Sequence, residues 1–276
     1  MILSDIFSRR LRDASPALVL VVLCAAVFVL LRLTAVVLNL SDTTLSIGRI
    51  LDSLMLSAAP SALAARPWTP LTYMFVHYDV LHLMMNLLWL YMFASIARNL
   101  CSRPQSVYII FLAGGLAGAA AFLLAGTTVP AVNGRSLTGA SAAILAIMAF
   151  AMMRAPGLRL RLVFFGETSL KIVGLIAILL VVISSGTDAG SYGLHAAHAA
   201  GFLTGLGAAC FLRSNRPQSS PFTRTSTRQK PSPTAVPDDR MLDSLLDKIR
   251  RSGYNSLSPD ERETLFSISS KLRNRQ

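Results

Sequence analysis

Charge is scarce in this chain. Only 14% of its 276 residues are Asp, Glu, Lys or Arg, against about 25% in soluble domains, and that shortage excludes an ordinary water-soluble fold. Cysteine is nearly absent as well. Cys24, Cys101 and Cys210 make an odd number without CxxC or zinc spacing, so neither a disulfide framework nor a cysteine metal site is indicated, and the three read as small apolar packing residues. Acidic residues are missing from every long apolar run. What is abundant is hydrophobic: 53% of the residues, with a mean hydropathy of +0.54. The net charge of +12 in such a chain fits cytoplasmic loop retention and attraction to anionic lipid, not nucleic-acid binding.

The apolar runs predict an all-α membrane protein with six spans, from Ala17 to Leu38, Leu81 to Ala97, Ser106 to Leu124, Leu137 to Met153, Leu170 to Ser185 and Tyr192 to Leu212. The first exceeds a signal-peptide h-region and is kept as a span. Arg9, Arg10 and Arg12 flank span one, Arg98 and Arg103 follow span two, and Arg154, Arg159, Arg161 and Lys171 separate spans four and five. Basic residues near span ends stay in the cytoplasm, so both termini are expected there. Arg32, in the outer third of span one, is expected to snorkel outward.

Residues 1–16 then form a cytoplasmic N-terminus and 17–213 the six-span domain, with an outer loop at 39–80. Ile47, Leu51, Leu54 and Met55 in that loop have the spacing of a helix lying in the membrane interface. Residues 214–237, rich in Ser, Pro, Thr, Arg and Gln, read as a flexible linker. Residues 238–276 read as a cytoplasmic helical hairpin: one helix stops at Gly253, and Ser258-Pro259-Asp260-Glu261 announces the next as a capping box with proline at its first position.

Strongly polar groups within a span are costly and become functional candidates. Ser141 lies in Gly139-Ala140-Ser141-Ala142 at the head of span four, His198 precedes Gly201 in span six, and His82 and Asn86 sit one turn apart in span two. These three spans run in the same direction. Asn86, Ser141 and His198 are therefore expected in one layer, roughly 6 to 10 Å below the outer surface.

A serine needs a neighbouring base to act as a nucleophile, and His198 would take the Ser141 proton. A tetrahedral oxyanion needs donors, which Asn86, His82 and the Ser141 N–H could supply. With Asp79 and Asp188 in outer loops and Glu167 on the other side, a dyad is expected instead of a triad.

Other readings of the same residues stay open. Serine beside glycine packs helices, as Gly114 and Gly118 or Gly201 and Gly205 would; an intramembrane Asn can join helices; and a lone His can be a satisfied core group or a proton relay. The four histidines, His77, His82, His195 and His198, also permit a metal-dependent hydrolase or a metal transporter, although no HExxH is present.

Three motifs taken together resemble the rhomboid family of intramembrane serine proteases: Gly139-Ala140-Ser141-Ala142, Ala197-His198-Ala199-Ala200-Gly201, and His77 followed by His82-Leu83-Met84-Met85-Asn86. The resemblance runs from about Pro67 to Leu212. It implies a six-helix rhomboid-like bundle in a bacterial inner membrane, with Ser141 as nucleophile, His198 as base, and an oxyanion site lined by His82, Asn86 and the Ser141 N–H. It implies that Gly201 and Gly205, with Gly139, serve packing, so that span six lies close on span four, and that His77 and His195 are structural or water-retaining. Substrates would be transmembrane segments of other proteins, in a lipid bilayer, with no cofactor and no metal. Ala142 stands where many relatives have glycine, and the Trp-Arg pair expected in the first outer loop of some members is not present, with only Arg66-Pro67-Trp68 nearby. The alternative within the family is a catalytically silent protein that binds membrane clients, which intact Ser141 and His198 disfavour.

Overall fold

The computed structural model describes residues 15–41, 46–162, 166–212, 244–249 and 253–273. Two compact units are present, Met1–Ser220 and Pro221–Gln276. The expected linker at 214–237, the N-terminal residues 1–14 and the first turns of the expected hairpin at 238–243 lie outside the described residues.

In the first unit the helices of six or more residues are α1 (Pro16–Leu40), α2 (Ile47–Leu54), α3 (Pro60–Ala65), α4 (Val80–Leu100), α5 (Ser106–Thr128), α6 (Ser141–Arg154), α7 (Leu170–Ser184) and α8 (Tyr192–Phe211). Among the described residues, four helical segments are long and apolar enough to cross a membrane: α1, α4, α5 and the stretch Ala189–Phe211 that contains α8. Helices α6 and α7 are apolar but shorter, at 14 and 15 residues, or about 21 to 23 Å at 1.5 Å per residue. This makes the protein a multi-pass integral membrane protein.

Helix α6 is the centre. Every residue from Ala142 to Ala151 is buried, whereas α1 leaves Val22, Val29, Leu30, Leu33 and Val37 exposed as a surface suited to lipid. The central packing depends on small residues. A Cβ placed on Gly201 would come within 2.2 Å of the Ala142 carbonyl oxygen, and one on Gly205 within 2.0 Å of the Ala146 oxygen. From the other side, a Cβ on Gly114 or Gly118 would meet the Ala146 and Ala142 methyl groups at 2.3 and 2.7 Å. Helices α5 and α8 thus both close on α6 almost backbone to backbone, the packing mode of helices in lipid, where dispersion replaces hydrophobic drive.

The start of span four departs from its reading in the sequence. The expected start at Leu137 is wrong, because Ser136–Leu137 is a strand, β2, paired antiparallel with β1 (Leu56–Ser57). The chain then turns at Gly139, whose φ of +91° suits glycine, and becomes helical at Ser141. Apolar composition extends the predicted helix outward over the end of a strand and a turn. Between α6 and α7 the chain forms a hairpin, β3 (Arg159–Leu162) paired antiparallel with β4 (Gly166–Ser169).

The loop between α1 and α4 is anchored by side chains at the end of α2, whose last carbonyls have no helical partner. Arg66 donates to the Asp52 carbonyl, Trp68 Nε1 to the Ser53 carbonyl at 2.7 Å, and Thr72 Oγ1 to the Leu54 carbonyl at 2.7 Å. Arg66-Pro67-Trp68 is therefore the anchor of this loop. Its following segment plunges inward: Tyr73 and Met74 are fully buried, and the Tyr73 hydroxyl donates to the Gly115 carbonyl. Arg32 reaches the Tyr78 carbonyl and lies over the Phe28 ring, tying α1 to the start of α4. Of the cysteines, Cys24 and Cys101 are buried as expected for packing residues, but Cys210 is exposed on α8.

In the second unit, residues 244–249 are helical and α9 spans Pro259–Arg273. The capping box is formed: the Glu261 N–H donates to Ser258 Oγ, and the Ser258 N–H donates to Glu261 Oε2. Gly253, at φ +79°, donates its N–H to the Ile249 carbonyl, and Lys248 pairs with Glu261 at 2.7 Å.

Candidate active site

The head of α6 is built by its neighbours. The Gly139 N–H donates to the Tyr73 carbonyl at 2.9 Å, and β2 is held by β1, so two segments of the preceding loop fix the turn that delivers Ser141. Ala140, at the N-cap, has no side chain with which to cap. The N–H groups of the first turn, those of Ser141, Ala142 and Ala143, precede the first i→i−4 bond, Ile144 N–H to Ala140 C=O. They leave the positive end of the helix dipole beside the serine hydroxyl.

Helix α8 supplies the histidine. Its close approach along Gly201 and Gly205 carries His198, one turn earlier, against the same end of α6, and Ser141 Oγ stands 2.7 Å from His198 Nε2. His198 is buried and Ser141 half-buried. On the far side of the ring, His198 Nδ1 lies 3.3 Å from Ser185 Oγ, at the end of α7. Ser185 was not among the residues singled out from the sequence. As a serine closing an apolar run, it had the look of a membrane-boundary residue.

Helix α4 carries His82 and Asn86. Asp79 caps it by accepting the His82 N–H at 2.8 Å, which fixes His82 in the first turn. The His82 ring lies over Gly139: a Cβ on that glycine would be 2.7 Å from His82 Cε1 and 2.8 Å from Nε2. Gly139 thus makes room for an imidazole and for a left-handed turn. Asn86 is buried one turn on and donates one Nδ2 hydrogen to the His82 carbonyl at 2.8 Å, leaving its second N–H available.

The four histidines divide into separate duties. His77 is buried with its ring edge-on to His82, centroids 5.2 Å apart. His195 Nε2–H donates to the Gly186 carbonyl at 3.0 Å. Among the described residues no group of three His, Cys, Asp or Glu is placed to share a metal ion. The nearest acidic residue in the turn before α8, Asp188, is engaged elsewhere: it pairs with Arg135 at 2.7 Å and accepts the Ser191 hydroxyl. The Ser191 hydrogen bond first, and the guanidinium beside it, hold its carboxyl below the usual carboxylate range.

Chemically, a hydroxyl within hydrogen-bond reach of an imidazole nitrogen, at the uncapped start of a helix whose preceding turn packs against a second imidazole, has the parts that acyl transfer needs. Against known families, the model described as the Rhomboid domain matches residues 64–215, more than half of the chain. No curated protein matches the chain.

Proposed function

The chain belongs to the rhomboid family, and from that premise we propose that it is an intramembrane serine endopeptidase that cuts transmembrane segments of other membrane proteins by a Ser141–His198 dyad. The observation that carries this reading is the 2.7 Å approach of Ser141 Oγ to His198 Nε2. His198 accepts the hydroxyl proton as Ser141 Oγ attacks the scissile carbonyl carbon, then returns it to the leaving amine. Water next attacks the acyl-serine, with His198 again taking and returning a proton. The oxyanion is met by the Ser141 N–H, by the free Asn86 amide hydrogen and by His82.

The membrane arrangement we infer has six spans, α6 and α7 completing the set. Helix α6 is short because β2 and the Gly139 turn carry the chain part of the way inward, and its flanks are covered by α5 and α8. Irregular backbone at such depth requires a water-lined or protein-lined surrounding, which hydrolysis also requires. Both termini and the hairpin at 238–276 are cytoplasmic in this reading, since Arg98, Arg103, Arg154, Arg159, Arg161 and Lys171 all fall on that side, and the membrane is the bacterial inner membrane. A substrate helix must unwind before Ser141 can reach a carbonyl held in i→i−4 bonds, so small residues and helix breakers are expected near the cut.

The second reading is a silent family member that binds membrane clients. Cleavage of a model transmembrane substrate in liposomes decides between them: the wild type cuts and Ser141→Ala does not, with no effect of a chelator. Cutting that survives Ser141→Ala would remove the dyad from the account.

A further inference from the structure

We propose that Ser185 is a positioning residue for the dyad: its hydroxyl, at the end of α7, accepts the Nδ1–H of His198 and so holds the imidazole in the tautomer whose Nε2 lone pair faces Ser141. The inference rests on the protease reading above. Its geometry is a chain of three contacts, Ser141 Oγ to His198 Nε2 at 2.7 Å, His198 Nδ1 to Ser185 Oγ at 3.3 Å, and Ser185 Oγ to the Val181 carbonyl at 2.7 Å.

The direction of the last contact decides the others. A carbonyl oxygen only accepts, so the single hydroxyl proton of Ser185 points to Val181, its nearer neighbour, and the oxygen offers a lone pair to Nδ1. Nδ1 then carries the ring proton of the neutral imidazole. Nε2 is left unprotonated beside Ser141 Oγ, as a general base must be. When the imidazolium forms, its Nδ1–H already has an acceptor. This is the orienting part of a triad played by a neutral hydroxyl, with no carboxylate bonded to His198 among the described residues.

Helix capping alone does not account for the Ser185 side chain. The Val181 carbonyl also receives the Ser185 N–H at 3.1 Å and the Ser184 hydroxyl at 3.0 Å, so the helix end stays closed without the Ser185 hydroxyl. Nor does packing account for it. The buried residues of α7, Leu170, Val173, Gly174 and Ala177, lie toward its start, while Leu179, Leu180, Val182 and Ile183 near its end are exposed.

The test compares Ser185→Thr with Ser185→Val, two side chains of nearly one shape that differ in the hydroxyl. On a model transmembrane substrate in liposomes, Ser185→Val is expected to lower kcat about tenfold with KM unchanged, the scale of one neutral hydrogen bond, and Ser185→Thr to stay within about twofold of wild type. Equal loss in both variants, or no loss in Ser185→Val, overturns the proposal. A readout independent of activity is the 15N spectrum of histidine-labelled protein, with His198 identified by its absence in His198→Gln. Nδ1 protonation in wild type and Ser185→Thr, replaced by a mixture of tautomers in Ser185→Val, supports the assignment; an unchanged tautomer in Ser185→Val overturns it. Should the wild type neither cut a substrate nor react at Ser141, the protease reading fails, and the spectrum still decides the Ser185–His198 bond.

Discussion

Gly201 crosses Ala142 so closely that a single added methyl would fall 2.2 Å from the Ala142 carbonyl oxygen. That oxygen belongs to backbone and cannot swing aside. Gly201→Ala must therefore push α8 off α6 one turn from His198. We expect a loss of roughly 1 to 3 kcal/mol, the usual cost of overpacking, seen as a lower midpoint of thermal unfolding in detergent, with cleavage falling further than stability because the Ser141–His198 distance opens. Retention of full activity in Gly201→Ala would contradict the backbone-to-backbone crossing.

Gly139→Ala places a Cβ at φ +91° and against the His82 ring. The left-handed conformation alone costs about 1 to 2 kcal/mol, and the ring has to move as well. The expected outcome is a modest drop in thermal stability and a severe loss of substrate cleavage, compared in the same preparation.

At the loop anchor, Trp68→Phe keeps the ring and removes the Nε1 donor to the Ser53 carbonyl. A loss of about 1 kcal/mol, one hydrogen bond's net worth, should appear as faster hydrogen exchange of the α2 amides, with little change elsewhere. Exchange in α2 identical to wild type would count against the anchor.

In the C-terminal unit the capping box should be pH-sensitive. The Lys248 hydrogen bond first, and then the Ser258 N–H, hold the Glu261 carboxyl below its usual range, so the unfolded segment binds a proton before the folded one does. The stabilisation is complete above the ordinary glutamate pKa of about 4.3 and is lost as pH falls through the lower folded value. Protection factors of the amides at the start of α9 in the full chain, with the intrinsic pH dependence of exchange divided out, should fall on acidification through that window, and Glu261→Gln should remove the dependence.

The long helices were legible because twenty or so apolar residues with basic flanks leave little choice in a bilayer, and α1, α4, α5 and α8 begin and end within a few residues of their apolar runs. Ser141 and His198 stood out because polar groups are rare there, and the common direction of three spans predicted one layer. Three features escaped. Leu137-Thr138-Gly139-Ala140 is as apolar as a helix, and hydropathy carries no record of a strand pairing with Leu56–Ser57 far away in sequence. The β3–β4 hairpin has a signal in the two-residue alternation of Arg159-Leu160-Arg161-Leu162, but the same arginines also read as basic residues retained beside a span end. Ser185 had none, since its meaning lies in what stands opposite it on α8.

The central claim is that Ser141 is made nucleophilic by His198. Its most direct test is the rate at which a fluorophosphonate probe modifies the purified protein in liposomes, with the modified residue located by mass spectrometry in the wild type, His198→Ala and Ser141→Ala. A single adduct on Ser141 is expected in the wild type, with formation slowed at least about a hundredfold in His198→Ala, the effect of losing a general base, and no adduct in Ser141→Ala. An adduct that forms on Ser141 as fast without His198 as with it, or a wild type that cleaves substrate while Ser141 stays unmodified, would contradict it.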